Sequence, residues 1–145
     1  MIKNVSFSVG LLALGLMAGC AMSSAPEAPL SDAIVGQWRV EYIADRGVVD
    51  RSPARLQFNE DGKLNGNASC NRFFANYQLA AGQLTVDSIG STKMLCHQAL
   101  NEQETRFLTA LPGVHNVSIE HGILSLTNAA GEQVLRMARV DSAEQ

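Results

Sequence analysis

The residues of this chain best equipped for chemistry are two cysteines, Cys70 and Cys96, and three histidines, His97, His115 and His121. Cys96 and His97 are adjacent, which suggests a thiol nucleophile beside its base. Neighbours on a strand point to opposite faces, so His97 is poorly placed to deprotonate Cys96. The three histidines lack the compact spacing of metal ligands and read as exposed strand or turn residues. Asp61-Gly62-Lys63-Leu64-Asn65-Gly66 is rejected as a calcium loop, because Lys63 falls at a ligand position and Arg72 stands where the bidentate glutamate belongs. A redox pair needs an exposed thiol of lowered pKa, often as C-x-x-C at a helix start, and these cysteines are far apart. No phosphate loop, nucleophile elbow or dinucleotide fingerprint occurs. The chain is read as non-enzymatic, with no metal and no cofactor.

The elements that hold the cysteines explain them better. Leu64, Gly66, Ala68 and Cys70 share one parity and Lys63, Asn65, Asn67 and Ser69 the other, the period of a half-buried strand with Cys70 inward. Past Asn71 the apolar positions become Phe73, Ala75, Tyr77 and Leu79, so a bulge or tight corner at Asn71 or Arg72 switches the phase. Asparagine suits that corner, since its amide can satisfy main-chain groups that the broken ladder leaves free. Thr92, Met94 and Cys96 also share a parity, which would turn Cys96 inward.

At 145 residues the chain is long enough for one domain. Part of its 46% hydrophobic content sits in Val5 to Met17, an apolar run after Lys3 and before Ala18-Gly19-Cys20. A basic start, about a dozen apolar residues and a small-residue cleavage site describe a secretory signal over residues 1–19, too short for a membrane span. Leu16-Met17-Ala18-Gly19-Cys20 resembles the lipobox of bacterial lipoproteins, which implies cleavage before Cys20 and acylation of it with palmitate-type chains; an ordinary signal peptide cleaved nearby is the alternative. Each buried methylene contributes about 0.8 kcal/mol to such an anchor. Ala21, rather than aspartate, after the cysteine implies sorting to the outer membrane, facing the periplasm. Residues 20–33, rich in Ser, Pro and Ala, read as a tether of roughly 20 Å as a coil. Without Lys3 the mature chain carries ten basic and fourteen acidic residues, which argues against nucleic acid as the partner.

The folded domain is expected over 34–140, with a C-terminal tail at 141–145. Trp38, Val40 and Tyr42 alternate with polar neighbours; so do Leu56 and Phe58, followed by Asp61-Gly62 as a two-residue hairpin turn. Ala81-Gly82-Gln83, His121-Gly122 and Ala130-Gly131-Glu132 mark further turns between short apolar runs. This spacing indicates an α+β, mainly β fold: a small curved antiparallel β-meander or partly closed barrel. One helix is expected over about 99–111, with Leu100, Phe107, Leu108 and Leu111 facing the sheet and Glu102, Glu104 and Arg106 largely on the other side. If Cys20 is acylated, Cys70 and Cys96 remain as a natural pair, and a disulfide between them is expected. Closing a loop of about 27 residues would contribute about 3.5 kcal/mol in the chain-entropy model.

The Trp38 strand, Leu56-x-Phe58 with Asp61-Gly62, Gly66-Asn67-x-x-Cys70-Asn71-Arg72-Phe73 with Tyr77, Thr92-x-Met94-x-Cys96, and Glu104-x-x-Phe107-Leu108 together resemble the META domain, the HslJ-like heat-shock family. The resemblance implies a small antiparallel β structure with one helix, in bacterial envelope proteins associated with heat shock and novobiocin resistance and with no established catalysis. Trp38, Gly66, Asn67, Cys70, Asn71, Phe73, Tyr77, Thr92, Met94, Cys96 and Glu104 are carried over as a structural signature, not as an active site. The function expected is support of envelope integrity or stress tolerance through contacts with an envelope protein. A small-ligand-binding β module, with the ligand inside the curved sheet, is the alternative; a thiol-redox protein or hydrolase is least favoured.

Overall fold

Among the described residues, alternating apolar and polar residues build nine strands; a short helix precedes them and a longer one interrupts them. The computed structural model describes residues 28–141; the expected signal at 1–19, Cys20, the expected tether up to residue 27 and residues 142–145 lie outside the described residues. In chain order the elements are α1 (Leu30–Ile34), β1 (Gly36–Ile43), β2 (Arg46–Gly47), β3 (Arg55–Phe58), β4 (Lys63–Asn67), β5 (Arg72–Ala80), β6 (Gln83–Ser91), α2 (Gln98–Ala110), a 3₁₀ turn (Leu111–Gly113), β7 (Asn116–Glu120), β8 (Ile123–Thr127) and β9 (Gln133–Arg139). The strands form one sheet in the order β2-β1-β3-β4-β5-β6-β7-β8-β9, and β1 also pairs with β9, so the sheet closes into a ring. Every pairing is antiparallel. The weakest junction is between β6 and β7, paired only at Gln83 and Asn116. That is where the chain leaves the sheet to make α2 and the 3₁₀ turn.

Inward residues fill the ring. Trp38, Leu56, Phe58, Leu64, Phe73, Leu84, Leu124, Leu126 and Met137 are buried, and Phe107 and Leu111 enter from α2 and the turn that follows it. Phe107 packs on Phe73 with centroids 5.1 Å apart, and Phe58 meets Tyr77 edge to face at 5.0 Å. The interior is thus a packed core, and any ligand has to bind outside it. Trp38 satisfies its buried indole N–H by donating to the Ile34 carbonyl at 2.8 Å. The Arg139 guanidinium lies 4.2 Å from the centre of the Trp38 ring and donates to the carbonyls of Ala33 and Val35.

Several local expectations give way to packing. Leu30 to Ala33, expected to end the tether, lie in α1, because Trp38 and Arg139 hold its carbonyls. Tyr42 does not continue the inward row of Trp38 and Val40: a bulge between Val40 and Tyr42 turns it outward and buries Ile43 instead. Outside, the Arg136 guanidinium sits 5.7 Å from the Tyr42 ring centre. The Asp61-Gly62 turn is a longer loop, in which Asn59 N–H donates to Lys63 O at 2.9 Å and Gly62 takes a φ of +77°. The strand expected to reach Cys70 stops at Asn67, and the phase change is the tight corner Ala68–Asn71 between β4 and β5. Thr92 to Cys96 is not a strand: Thr92 and Met94 are exposed and Cys96 is half-buried. The Asn71 side-chain amide, with Thr92 N–H donating to Arg72 O at 3.0 Å, holds that segment in place of a ladder.

Gly66 on β4 pairs with Leu56 on β3. A Cβ there would lie 2.0 Å from the Arg55 carbonyl oxygen, so no side chain fits without separating the strands. Gly66→Ala is expected to lower the free energy of unfolding by about 3 kcal/mol or more, measured by urea denaturation. Gly113→Ala, with nothing within 4 Å of its added Cβ, should stay within about 0.5 kcal/mol of the parent.

Candidate functional site

The corner between β4 and β5 creates a shortage of acceptors. Asn67 and Arg72 pair across it and Ala68 N–H donates to Asn71 O at 2.8 Å. Ser69 N–H is taken by the Asn67 side chain at 2.8 Å. This leaves the N–H groups of Cys70 and Asn71, both residues buried, without a partner in the sheet. Glu104, in the middle of α2, supplies it: its Oε2 accepts from Cys70 N–H at 2.9 Å and from Asn71 N–H. Its Oε1 accepts from Asn71 Nδ2 at 2.7 Å. Glu104 therefore faces the corner, not the polar side of the helix as expected from its sequence neighbours.

Asn71 passes the connection on. Its Oδ1 accepts from Met94 N–H at 2.7 Å and Thr92 Oγ1 at 2.9 Å, while Nδ2 also donates to Met94 O at 3.1 Å. All four hydrogen-bonding positions of the amide are used. Cys70 and Cys96 are joined by a disulfide, with Cα atoms 5.9 Å apart. Asn101 then holds the Cys96 backbone on both sides, accepting from its N–H at 3.2 Å and donating to its carbonyl at 2.9 Å. Gln103, fully buried, accepts from Val49 N–H at 2.7 Å and donates to Ser52 Oγ at 2.7 Å and Ser69 Oγ at 3.0 Å. One face of α2 thereby ties three segments together: the β2–β3 loop, the corner and residues 92–96.

The expected signature residues divide by place. Asn67, Cys70, Asn71, Thr92, Met94, Cys96 and Glu104 meet in this knot. Trp38, Gly66 and Phe73 lie in the adjoining row, where Trp38 pairs with Leu56, Leu56 with Gly66 and Gly66 with Phe73. Tyr77 stands apart, donating to the Asn59 carbonyl at 2.6 Å. Burial, with Asp61 and then Glu60 nearby, pushes its hydroxyl pKa above the ordinary value. Gln103, Asn101, Ser52 and Ser69 were not anticipated; the one available signal was a glutamine four residues before Phe107, on the helix's apolar side. His97 precedes α2 without capping it through its side chain. Among the described residues no group of three or more His, Cys, Asp or Glu side chains is placed to hold a metal ion. The thiols are spent in a disulfide, and the carboxylate is occupied by three donors.

A closed antiparallel ring with one main helix, locked at one end by a half-buried carboxylate and a disulfide, defines a small α+β scaffold. The chain belongs to the META domain family, whose model matches residues 31–141. It is similar to the heat shock protein HslJ of Escherichia coli (strain K12), with 26% identity over 125 residues, 85% of this chain and 89% of that protein. Among solved structures, an NMR structure of a protein from Burkholderia xenovorans shares the fold with a TM-score of 0.63 at 22% identity, covering 82% of this chain and 96% of the other. A second NMR structure gives 0.62 at 23% identity over 77% and 96%.

Replacing Glu104 by Gln keeps the size but puts an NH₂ group against another donor. Glu104→Gln is expected to cost about 2–3 kcal/mol of stability, read as a lower urea midpoint under oxidising conditions. Glu102→Gln, on the exposed side of α2, should change it by less than about 0.5 kcal/mol.

Proposed function

We propose that the chain is a non-enzymatic binding module of the cell envelope, held to the outer membrane through lipid on Cys20 and facing the periplasm. In this reading it supports tolerance of heat and novobiocin stress through contact with another envelope protein. The observation that carries the reading is the segment Met94-Leu95. Leu95 is 94% exposed and Met94 61% exposed, yet the main chain on either side is fixed. Asn71 grips Met94 at both N–H and carbonyl, and the disulfide and Asn101 hold Cys96. Two apolar side chains held out on an ordered backbone are anchors whose main chain loses little conformational freedom on binding. The name of the HslJ relative supports the association with heat stress.

The arrangement also supports an anchored orientation. α1 precedes Gly36, which pairs with Phe58 at one end of β3; the corner adjoins Asn67, which pairs with Arg55 at the other end. A tether entering at α1 leaves Met94 and Leu95 at the opposite end of these strands, away from its point of entry.

A photo-crosslinking residue placed at Leu95 in cells is expected to capture a discrete protein adduct that intensifies on heating, while the same probe at exposed Glu120 does not. Met94→Asp combined with Leu95→Asp should lower heat survival to that of a deletion strain. Absence of any protein adduct from position 95, heated or not, would defeat the protein-contact reading. For the anchor, the intact mass of membrane-extracted protein should correspond to a chain beginning at acylated Cys20, with two thiols alkylated only after reduction. An unacylated mass would remove the anchor from the proposal.

A further inference from the structure

On the outer face of the sheet, β5 and β6 fall out of register between Phe74 and Asn76. Opposite that shift Ser88 takes a left-handed φ of +55°, the mark of a bulge, which re-aims the side chains around it. Beside the bulge lies an open groove of about 470 Å³, lined by Asn59, Lys63, Asn65, Phe74, Asn76 and Ser88 among others. Phe74 is 60% exposed, and its ring lies on Gly90, where an added Cβ would come within 2.3 Å of Cζ. The far end of the ring lies against the Gly90 backbone, and more than half of the side chain is left to solvent. Around it the polar groups are already ordered. Asn59 Nδ2 donates to Asn65 Oδ1 at 2.9 Å, Lys63 Nζ to Asn76 Oδ1 at 2.9 Å, and Asn76 Nδ2 to Asp87 Oδ1 at 3.4 Å.

We propose that this groove is a carbohydrate-binding site, with a sugar ring stacked on Phe74 and its hydroxyl or acetamido groups bonded to the amides of Asn59, Asn65 and Asn76. Amides both donate and accept, as sugar hydroxyls do, and an open aromatic face suits the apolar C–H face of a sugar ring. The charges at its edge specify further. Lys63 lies in the groove, and Arg72 points outward two residues from Phe74, about 7 Å along β5. Arg55 faces the same side, since its partner Asn67 pairs in turn with Arg72. Asp87 stands on the opposite, β6 side of the groove, where it accepts from Asn76, so an acidic sugar chain would lie along the Lys63, Arg55 and Arg72 flank. The site is separate from Met94-Leu95 and does not depend on the contact proposed there.

The test is an NMR titration of the ¹⁵N-labelled chain with a hyaluronan tetrasaccharide, with neutral chitotetraose, and with a poly-glutamate peptide as the protein-like competitor. Shifts are expected at the amides of Asn65, Phe74, Asn76 and Ser88, with hyaluronan binding more tightly than chitotetraose. Phe74→Leu still covers Gly90 but lacks a ring face, and should bind about tenfold more weakly; Phe74→Trp should bind at least as well as the parent. Unchanged thermal unfolding of the Leu variant separates lost stacking from lost folding, and if it unfolds early the Trp variant carries the comparison. Absence of saccharide shifts at millimolar probe, the reverse order of affinity, unaltered binding by the Leu variant, or preference for the peptide would each overturn the proposal.

Discussion

The carboxylate of Glu104 is the one group on which the rest of the arrangement depends. The four-residue corner between β4 and β5 leaves the N–H groups of Cys70 and Asn71 without a partner in the sheet, in a place where both residues are buried. An unpaired buried N–H costs about 1–3 kcal/mol, so the corner is tolerable only if an acceptor arrives from elsewhere in the chain. Glu104 brings two oxygens and a charge from a helix more than thirty residues downstream. The position and rotation of α2 are thereby specified by hydrogen-bond geometry as well as by apolar burial. Phe107, one turn on from Gln103, then reaches Phe73 in the core.

The same interaction bears on closure of the ring. Eight of the nine strand junctions have ladders of two to seven residue pairs, but β6 and β7 share only Gln83 with Asn116. α2 and the 3₁₀ turn connect those two strands, and Leu111 and Phe107 fill the core beneath them. The knot therefore fixes the helix that compensates for the thinnest part of the sheet. The disulfide acts on the same segment: Cys96 lies just before α2 and Cys70 lies in the corner that α2 satisfies. In the chain-entropy view it narrows the unfolded ensemble, while Asn71 and Glu104 act in the folded state alone.

Much of this was legible because it follows from period and composition. The alternation around Trp38, Leu56 and Leu124, the turns at Gly82, Gly122 and Gly131, and the helix before Pro112 each have a local cause, and the local cause prevailed. Counting thiols placed Cys70 and Cys96 together, although neither lies on the strand that its parity suggests. What escaped was decided at long range. A period-two pattern turns Tyr42 inward because a bulge is invisible to it, and Ile43 takes that place in the structure. Glu104 was assigned to solvent because a charged residue on a helix normally belongs there; only the unmet donors of a corner far away in sequence reverse that. Gln103 is a similar case, a glutamine in an apolar stripe whose three partners come from two other loops. Thr92 to Cys96 alternates like a strand, but Asn71 supplies the hydrogen bonds that a neighbouring strand would have made.

The polar knot also separates two tasks that a purely apolar core would leave coupled. If hydrophobic burial alone held residues 92–96, Met94 and Leu95 would be the side chains drawn inward, since they are the large apolar residues of that segment. Instead the segment is held through its backbone, by the Asn71 amide, the Asn101 amide and the Cys96 sulfur. Its apolar side chains are left outside. Phe74 shows the same division on the sheet: it lies next to buried Phe73, yet it faces outward, supported by Gly90, which offers a flat backbone and no side chain. In both places the groups that fix the main chain differ from those presented to solvent. Surface side chains can therefore change without disturbing the fold, provided that Asn71, Glu104, Cys70, Cys96 and Gly66 stay as they are. A scaffold built in this way can keep one architecture while its exposed residues are fitted to different partners.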